Sequence, residues 1–208
     1  MVVSDVTHRR TAALQLVRAA VRRSVAVPRS VAADAGAGAG RRSGPIVAID
    51  GPSGSGKSTF ADELAADWPG GRARLVRLDE VYPGWHGLAA AAGSLDRTLL
   101  APHARGVPGG WRRWDWSEGR RAGAVVLPPG GPLILEGCGA FEAVTRRPGA
   151  VRVWLQAADD TRRLRALARD AGRFDPYWEL WETEWRRYVR RVRPLRSADL
   201  VVTLPAVD

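Results

Sequence analysis

The sequence predicts an α/β fold, a three-layer arrangement with a mainly parallel five-stranded sheet and helices on both faces. Two observations carry the prediction. From residue 46 onward short apolar runs alternate with segments of helical periodicity, the order that parallel strands joined by crossover helices require. The chain has 208 residues, 45% of them apolar and 26% charged, which suits one globular domain with a sizeable core. That composition excludes a membrane-embedded protein and a disordered acidic tail.

The elements follow in order. In 6–27, Leu14, Val17, Val21 and Val25 recur at helical spacing beside Arg18, Arg22 and Arg23, an amphipathic helix. Pro28 and the Gly/Ala alternation after it predict a flexible linker ending near Gly44. The chain thus divides into a leader, 1–44, and a domain, 45–208. The leader is Arg-rich and acid-poor, as targeting peptides are, but lacks a long apolar segment and an A-x-A site; a docked helix or an over-extended start fits it better. No stretch approaches the roughly 20 apolar residues of a membrane span. Strands are expected at 46–50, 74–78, 133–136, 151–156 and 200–204, and helices at 57–67, 95–104, 158–170 and 177–192. Segments 84–93 and 108–131 are rich in Gly, Pro and Trp and read as long functional loops.

Of the 32 basic residues, 31 are arginine and one is lysine, Lys57. There is no asparagine, as expected of a coding sequence poor in A/T-rich codons. The net charge of +10 is uneven: residues 1–45 carry eight Arg and two Asp, or +6, leaving +4 for the remaining 163 residues. That is modest, and nucleic acid is not expected as the main partner. The single cysteine, Cys138, excludes an internal disulfide framework, and His8, His86 and His103 show no metal-ligand spacing. A reducing cytoplasm is the expected location.

The chemistry is concentrated in Gly51, Pro52, Ser53, Gly54, Ser55, Gly56, Lys57, Ser58 and Thr59, which match G-x-x-x-x-G-K-[ST] between the first strand and the first helix. Glycines there turn successive backbone N–H groups toward phosphate oxygens, and the helix N-terminus adds its positive dipole end. Lys57 is expected at the β- and γ-phosphates of ATP and the Ser58 hydroxyl on Mg²⁺. The only lysine in an arginine-rich chain falls where a compact ammonium fits between phosphates and a planar guanidinium does not.

Two acidic elements follow. In PLILEGCG an apolar run delivers Glu136 to the carboxyl end of a buried strand, the form of a Walker B segment, where a carboxylate holds Mg²⁺ or is simply solvated. Cys138 beside it reads as a small buried residue. In RLDEVYPGW a strand ends at Asp79, placed to orient an acceptor hydroxyl and take its proton; a turn or capping aspartate is the competing reading.

At these residues the chain resembles the P-loop kinases of the uridine kinase-like group, which includes nucleoside kinases and phosphoribulokinase relatives. The resemblance spans about 45–204. GPSGSGKST is similar to the family's phosphate loop, Asp79 with Tyr82 to its D-x-x-Y acceptor motif, and LILEG to its strand ending in Glu-Gly. SLDRTLL resembles the helix start whose aspartate contacts a sugar diol, which implies that role for Asp96. Trp114-Asp115-Trp116 resembles the Tyr-Asp-Phe stretch that lies against a nucleobase, implying acceptor contact for Trp114, although Gly119 stands where nucleoside kinases have a base-reading histidine. RRLRALARDAGR resembles the arginine-bearing lid helix.

On that helix Arg162, Arg165 and Arg169 share one face by their spacing, either a charge clamp over the triphosphate or a solvated face, with Arg169 and Arg165 the catalytic candidates. Trp111, Trp114 and Trp116 suit an acceptor pocket, single-stranded nucleic acid, or a loop pinned to the core. Trp178, Trp181, Trp185 and Tyr188 follow helical spacing and read as core. The expected activity is transfer of the γ-phosphoryl of Mg·ATP to a hydroxyl of a small nucleoside-like metabolite. The alternative is a P-loop ATPase or switch acting on a protein or nucleic-acid partner.

Overall fold

The structure, a computed structural model, describes residues 2–26 and 43–204. The expected linker falls almost entirely on residues 27–42, outside the described residues. Five strands, β1 (Ser43–Asp50), β2 (Arg74–Arg77), β5 (Gly131–Glu136), β6 (Val151–Gln156) and β7 (Leu200–Thr203), form one sheet in the order β2-β5-β1-β6-β7, with every neighbouring pair parallel. The register sets Ile49 and Arg77 on either side of Glu136 and Asp50 beside Trp154, so one carboxyl edge gathers the polar residues that close three buried strands.

Strand alternation sorts the apolar side chains into two cores. Val47, Ile49, Ile134, Val153 and Leu155 face α1 (Val2–Ala26) and α2 (Lys57–Ala66). Ala48, Leu133 and Leu135 face the opposite layer, which includes α3 (Leu88–Leu95), α4 (Ala101–Ala104), α5 (Ala140–Ala143), α6 (Asp159–Arg169) and α7 (Trp178–Val192). The result is helix, sheet and helix in three layers. Helix α1 is docked: Ala13, Leu14, Val17 and Val21 are buried in the first core, while Arg10 pairs with Glu63 at 3.3 Å and Arg18 with Asp67 at 3.0 Å. Among the described residues no helix is long and apolar enough to cross a membrane.

Both expected loops contain regular structure. Within 84–93, α3 begins at Leu88 and runs on through a π-helical turn, Asp96–Leu100, into α4. Leu88, Ala91, Ala92 and Leu95 bury one helical face, a signal hidden by the glycines on either side. Within 108–131, β3 (Gly109–Asp115) and β4 (Arg120–Leu127) pair antiparallel as a hairpin outside the main sheet. A bulge between Arg112 and Trp114 breaks its alternation, which is why no strand period is visible in the sequence. The Asp115 carboxylate accepts the Ser117 and Glu118 N–H groups at the tip, and Gly119 closes the turn at φ 61°, a conformation that favours glycine over histidine.

Candidate active site

The phosphate loop is shaped by close backbone approaches. Gly51 and Gly54 have φ of 147° and 75°, and a Cβ on either would lie within 2 Å of a carbonyl oxygen, that of Leu155 or Arg162. Gly56 begins α2 in the left-handed conformation. Lys57 is buried and its Nζ donates to the Pro52 carbonyl at 2.8 Å, lying back across the loop it serves. Ser55 Oγ is buried without a hydrogen-bond partner among the described residues.

At the edge of this loop Ser58 Oγ donates to Glu136 Oε1 at 3.3 Å, while Arg77 reaches Glu136 Oε2 at 3.4 Å and Asp62 at 2.6 Å. Burial pushes the Glu136 carboxyl above the ordinary range, and the charges of Lys57 and Arg77 work against that rise. The two oxygens of Ser58 and Glu136 lie close enough to share one cation. Among the described residues no cluster of three or more His, Cys, Asp or Glu side chains is arranged to hold a metal alone. One carboxylate, one hydroxyl and phosphate oxygens form a donor set that fits Mg²⁺, which takes few protein ligands and keeps part of its water.

The residues behind the loop form a hydrogen-bonded floor. Asp50, fully buried, accepts from the N–H groups of Gly51, Gly139 and Phe141 at 2.7, 3.1 and 2.9 Å and from Tyr188 Oη at 2.6 Å. Trp181 Nε1 donates to Ser53 Oγ at 3.0 Å, and the Cys138 thiol donates to the Gly51 carbonyl at 3.3 Å. Helix α7 therefore packs as core, as its spacing predicts, and also hydrogen-bonds the loop through Trp181. Neither Asp50 nor Arg77 stands out in the sequence; each is identified only by pairing across strands.

A cavity of about 900 Å³ opens over the loop. It is lined by Ser53, Gly54, Gly56, Lys57, Ser58 and Thr59, with Arg77 and Glu136, and by Asp79, Tyr82 and a cluster of touching rings, Trp85, Trp116, Phe174, Tyr177 and Trp181, of which Trp181 reaches the loop at Ser53. Arg165, Arg169 and Arg173 reach it from α6 and the turn that follows. Asp79 sits on a short 3₁₀ turn, Leu78–Glu80, and its carboxylate makes no hydrogen bond or ion pair among the described residues. The turn is braced by the hairpin: Trp116 Nε1 donates to the Asp79 carbonyl at 2.9 Å and Arg113 pairs with Glu80 at 3.4 Å.

Four residues are placed otherwise than expected. Asp96 is bound by Arg147 at 2.8 Å and Arg146 at 3.2 Å and does not line the cavity, because the π-helical turn directs it to the segment after α5. Trp114 is also absent from the lining; Trp116, past the end of β3 at the hairpin tip, supplies the ring. Tyr82 offers its ring, but its hydroxyl is spent on the Cys138 carbonyl at 2.8 Å, and burial raises its pKa well above the usual phenol value. Arg162 is no clamp: its guanidinium is buried in a bidentate pair with Glu182, at 2.7 and 2.8 Å, and also reaches Asp159. Arg169 does face the cavity, half-committed to Asp170, whose hydrogen bonds raise its pKa.

No family model and no curated protein sequence matches the chain. Solved structures do. A "possible uridine kinase" from Bacillus stearothermophilus aligns with a TM-score of 0.56 at 18% identity, over 92% of this chain and 98% of that one. A "putative fructose transport system kinase" from Silicibacter sp. TM1040 aligns with a TM-score of 0.59 at 20% identity, over 90% of this chain and 98% of that one. At such identities the likeness speaks for the fold, and with the phosphate loop seated at the sheet's carboxyl edge, the chain has the three-layer α/β fold of the P-loop kinases.

Proposed function

We propose that this protein is an ATP-dependent small-molecule kinase, transferring the γ-phosphoryl of Mg·ATP to a hydroxyl of a nucleoside-like or related metabolite. One observation supports the reading above the others: the cavity over the phosphate loop is also walled, beside Asp79, by a cluster of aromatic rings, which we take as its acceptor half. An ATPase or switch has no need of an acceptor half.

Each residue has a physical part in this reaction. The backbone N–H groups from Gly51 to Thr59 and the start of α2 hold phosphate oxygens. Lys57 exchanges its bond to Pro52 for the β- and γ-phosphates. Ser58 and Glu136 would hold Mg²⁺, which would supply positive charge to offset that of the phosphates. Asp79, with no protein partner among the described residues, orients the acceptor hydroxyl and takes its proton as the new P–O bond forms. Arg165 and Arg169 stabilise charge spread over the transferring phosphoryl group.

The test is phosphoryl transfer from γ-labelled ATP to a panel of nucleosides and related alcohols, with Lys57→Ala as the background. Asp79→Asn should lower transfer by about 10²-fold or more while leaving ATP binding intact. No acceptor labelled above the Lys57→Ala background would overturn the kinase reading, and an Asp79→Asn enzyme of near-normal rate would remove Asp79 from its role.

A further inference from the structure

We infer that the acceptor is an alcohol whose hydroxyl sits close to a planar unsaturated ring. Trp85, Trp116 and Tyr177 select it. The inference rests on the kinase reading and narrows its substrate class.

Three carboxylates line the cavity: Asp79, Glu136 and Asp170. Glu136 is engaged by Ser58 and Arg77, and Asp170 by Arg169 at two atoms. Only Asp79 is left for a hydroxyl. Asp96, which would take a vicinal diol, is held by Arg146 and Arg147 outside the cavity. The lining contains no Asn or Gln; Ser117 Oγ donates to Asp115 and Tyr82 to Cys138, and the Tyr177 hydroxyl and Arg173 are further polar groups on the wall.

The wall of the acceptor half points the same way. Trp85 stands at its centre, stacked on Tyr177 with ring centroids 4.4 Å apart and tilted against Trp116 at 4.6 Å. Trp116 and Tyr177 remain 39% and 40% exposed although they line a cavity, so large apolar ring surface is presented to whatever binds there. Such surface rewards a flat π-system by stacking.

The wall is also close to the reacting hydroxyl. The Trp116 indole N–H is bonded to the backbone oxygen of Asp79 itself, 2.9 Å away. The aromatic surface therefore begins beside the residue that receives the hydroxyl. A ring carrying its hydroxyl on one exocyclic carbon suits that closeness.

The experiment compares hydroxymethyl-substituted pyridines and pyrimidines with hexoses, linear polyols and nucleosides. Phosphoryl transfer is followed in the intact protein, and equilibrium binding by calorimetry in Lys57→Ala. The expected result is a KM for hydroxymethyl heteroarenes at least about tenfold below that for hexoses and polyols. Trp85→Leu should raise that KM by roughly tenfold to a hundredfold with the KM for ATP unchanged. Tyr177→Leu, at an exposed position, checks the same effect where folding is not at stake. A preference for hexoses or polyols, a nucleoside transferred only with its diol intact, or an acceptor KM unmoved by both variants would overturn the inference. Heteroarenes that bind Lys57→Ala and lose binding when Trp85→Leu is added, yet are never phosphorylated by the intact protein, would uphold the ring selection and sink the kinase reading instead.

Discussion

Tyr188 Oη donates a 2.6 Å hydrogen bond to Oδ2 of Asp50, joining α7 to the residue that opens the phosphate loop. The same carboxylate holds the N–H groups of Gly51, Gly139 and Phe141, so one buried charge fixes the loop against the turn that follows Glu136. Burial raises the Asp50 carboxyl pKa, and the Phe141, Tyr188 and Gly51 donors together with the charge of Lys57 oppose the rise. Tyr188→Phe keeps the ring and removes one donor to a buried carboxylate. A loss of about 1.5–3 kcal/mol is expected for a hydrogen bond to a charged group, read as a lower urea midpoint at constant slope. An unchanged midpoint would show that the three backbone donors suffice.

The pair of Arg162 and Glu182 gives a second prediction. Both side chains are about 95% buried and bonded at two points, with Trp178 below the guanidinium at 5.5 Å. Removing one partner strands the other charge away from water, and Glu182→Leu is expected to cost about 3–5 kcal/mol. The double variant Arg162→Met with Glu182→Leu should recover most of that, since two apolar side chains of similar volume leave no orphan charge. Urea unfolding of both variants decides it; equal losses in single and double variants would mean that packing, not charge, governs the site.

The phosphate loop and the five sheet strands were legible because each is written in contiguous residues: a glycine motif with its lysine, and short apolar runs, two of which end in an acidic side chain, Asp50 and Glu136. What the sequence hid is long-range. Trp181 and Tyr188 share helical spacing with Trp178 and Trp185, and periodicity reports their apolar bodies but not the polar tips that reach Ser53 and Asp50. Arg162, Arg165 and Arg169 look equivalent on one helix face until Glu182, 20 residues on, captures the first. Trp116 took the place expected of Trp114 because it lies past the end of the strand, at the hairpin tip, where its indole reaches the Asp79 carbonyl, a contact no period reveals.

Helix α1 offers a third prediction through two adjacent side chains of opposite exposure. Val17 is 1% exposed within the core that includes Phe60, Leu64 and Val202, whereas Leu16 is 57% exposed. Val17→Asp places a carboxylate in that apolar core and should destabilise the domain by several kcal/mol or leave it insoluble. Leu16→Asp should stay within about 0.5 kcal/mol of the parent. Equal melting temperatures for the two variants would mean that α1 does not dock on the sheet in solution.

Cys138 carries the last prediction, through both reactivity and pH. Its thiol is buried beneath the phosphate loop, donates to the Gly51 carbonyl at 3.3 Å and has its pKa pushed up by burial to about 11 from 9.0. Alkylation needs the thiolate, and at pH 8 a thiol raised in this way holds about a hundredfold less of it than the unfolded chain does, so iodoacetamide reacts more slowly in proportion. Stability responds to pH for the same reason. A group whose pKa is raised in the folded state supports folding fully below its unfolded value and loses that support as pH rises through the folded one. The stability difference between the parent and Cys138→Ala should therefore be constant below about pH 9 and move against the parent between about pH 9 and 11, by up to about 2–3 kcal/mol. Alkylation of the native protein at the rate of the denatured chain, or a difference flat across that window, would show a thiol open to solvent and a phosphate loop that does not cover it.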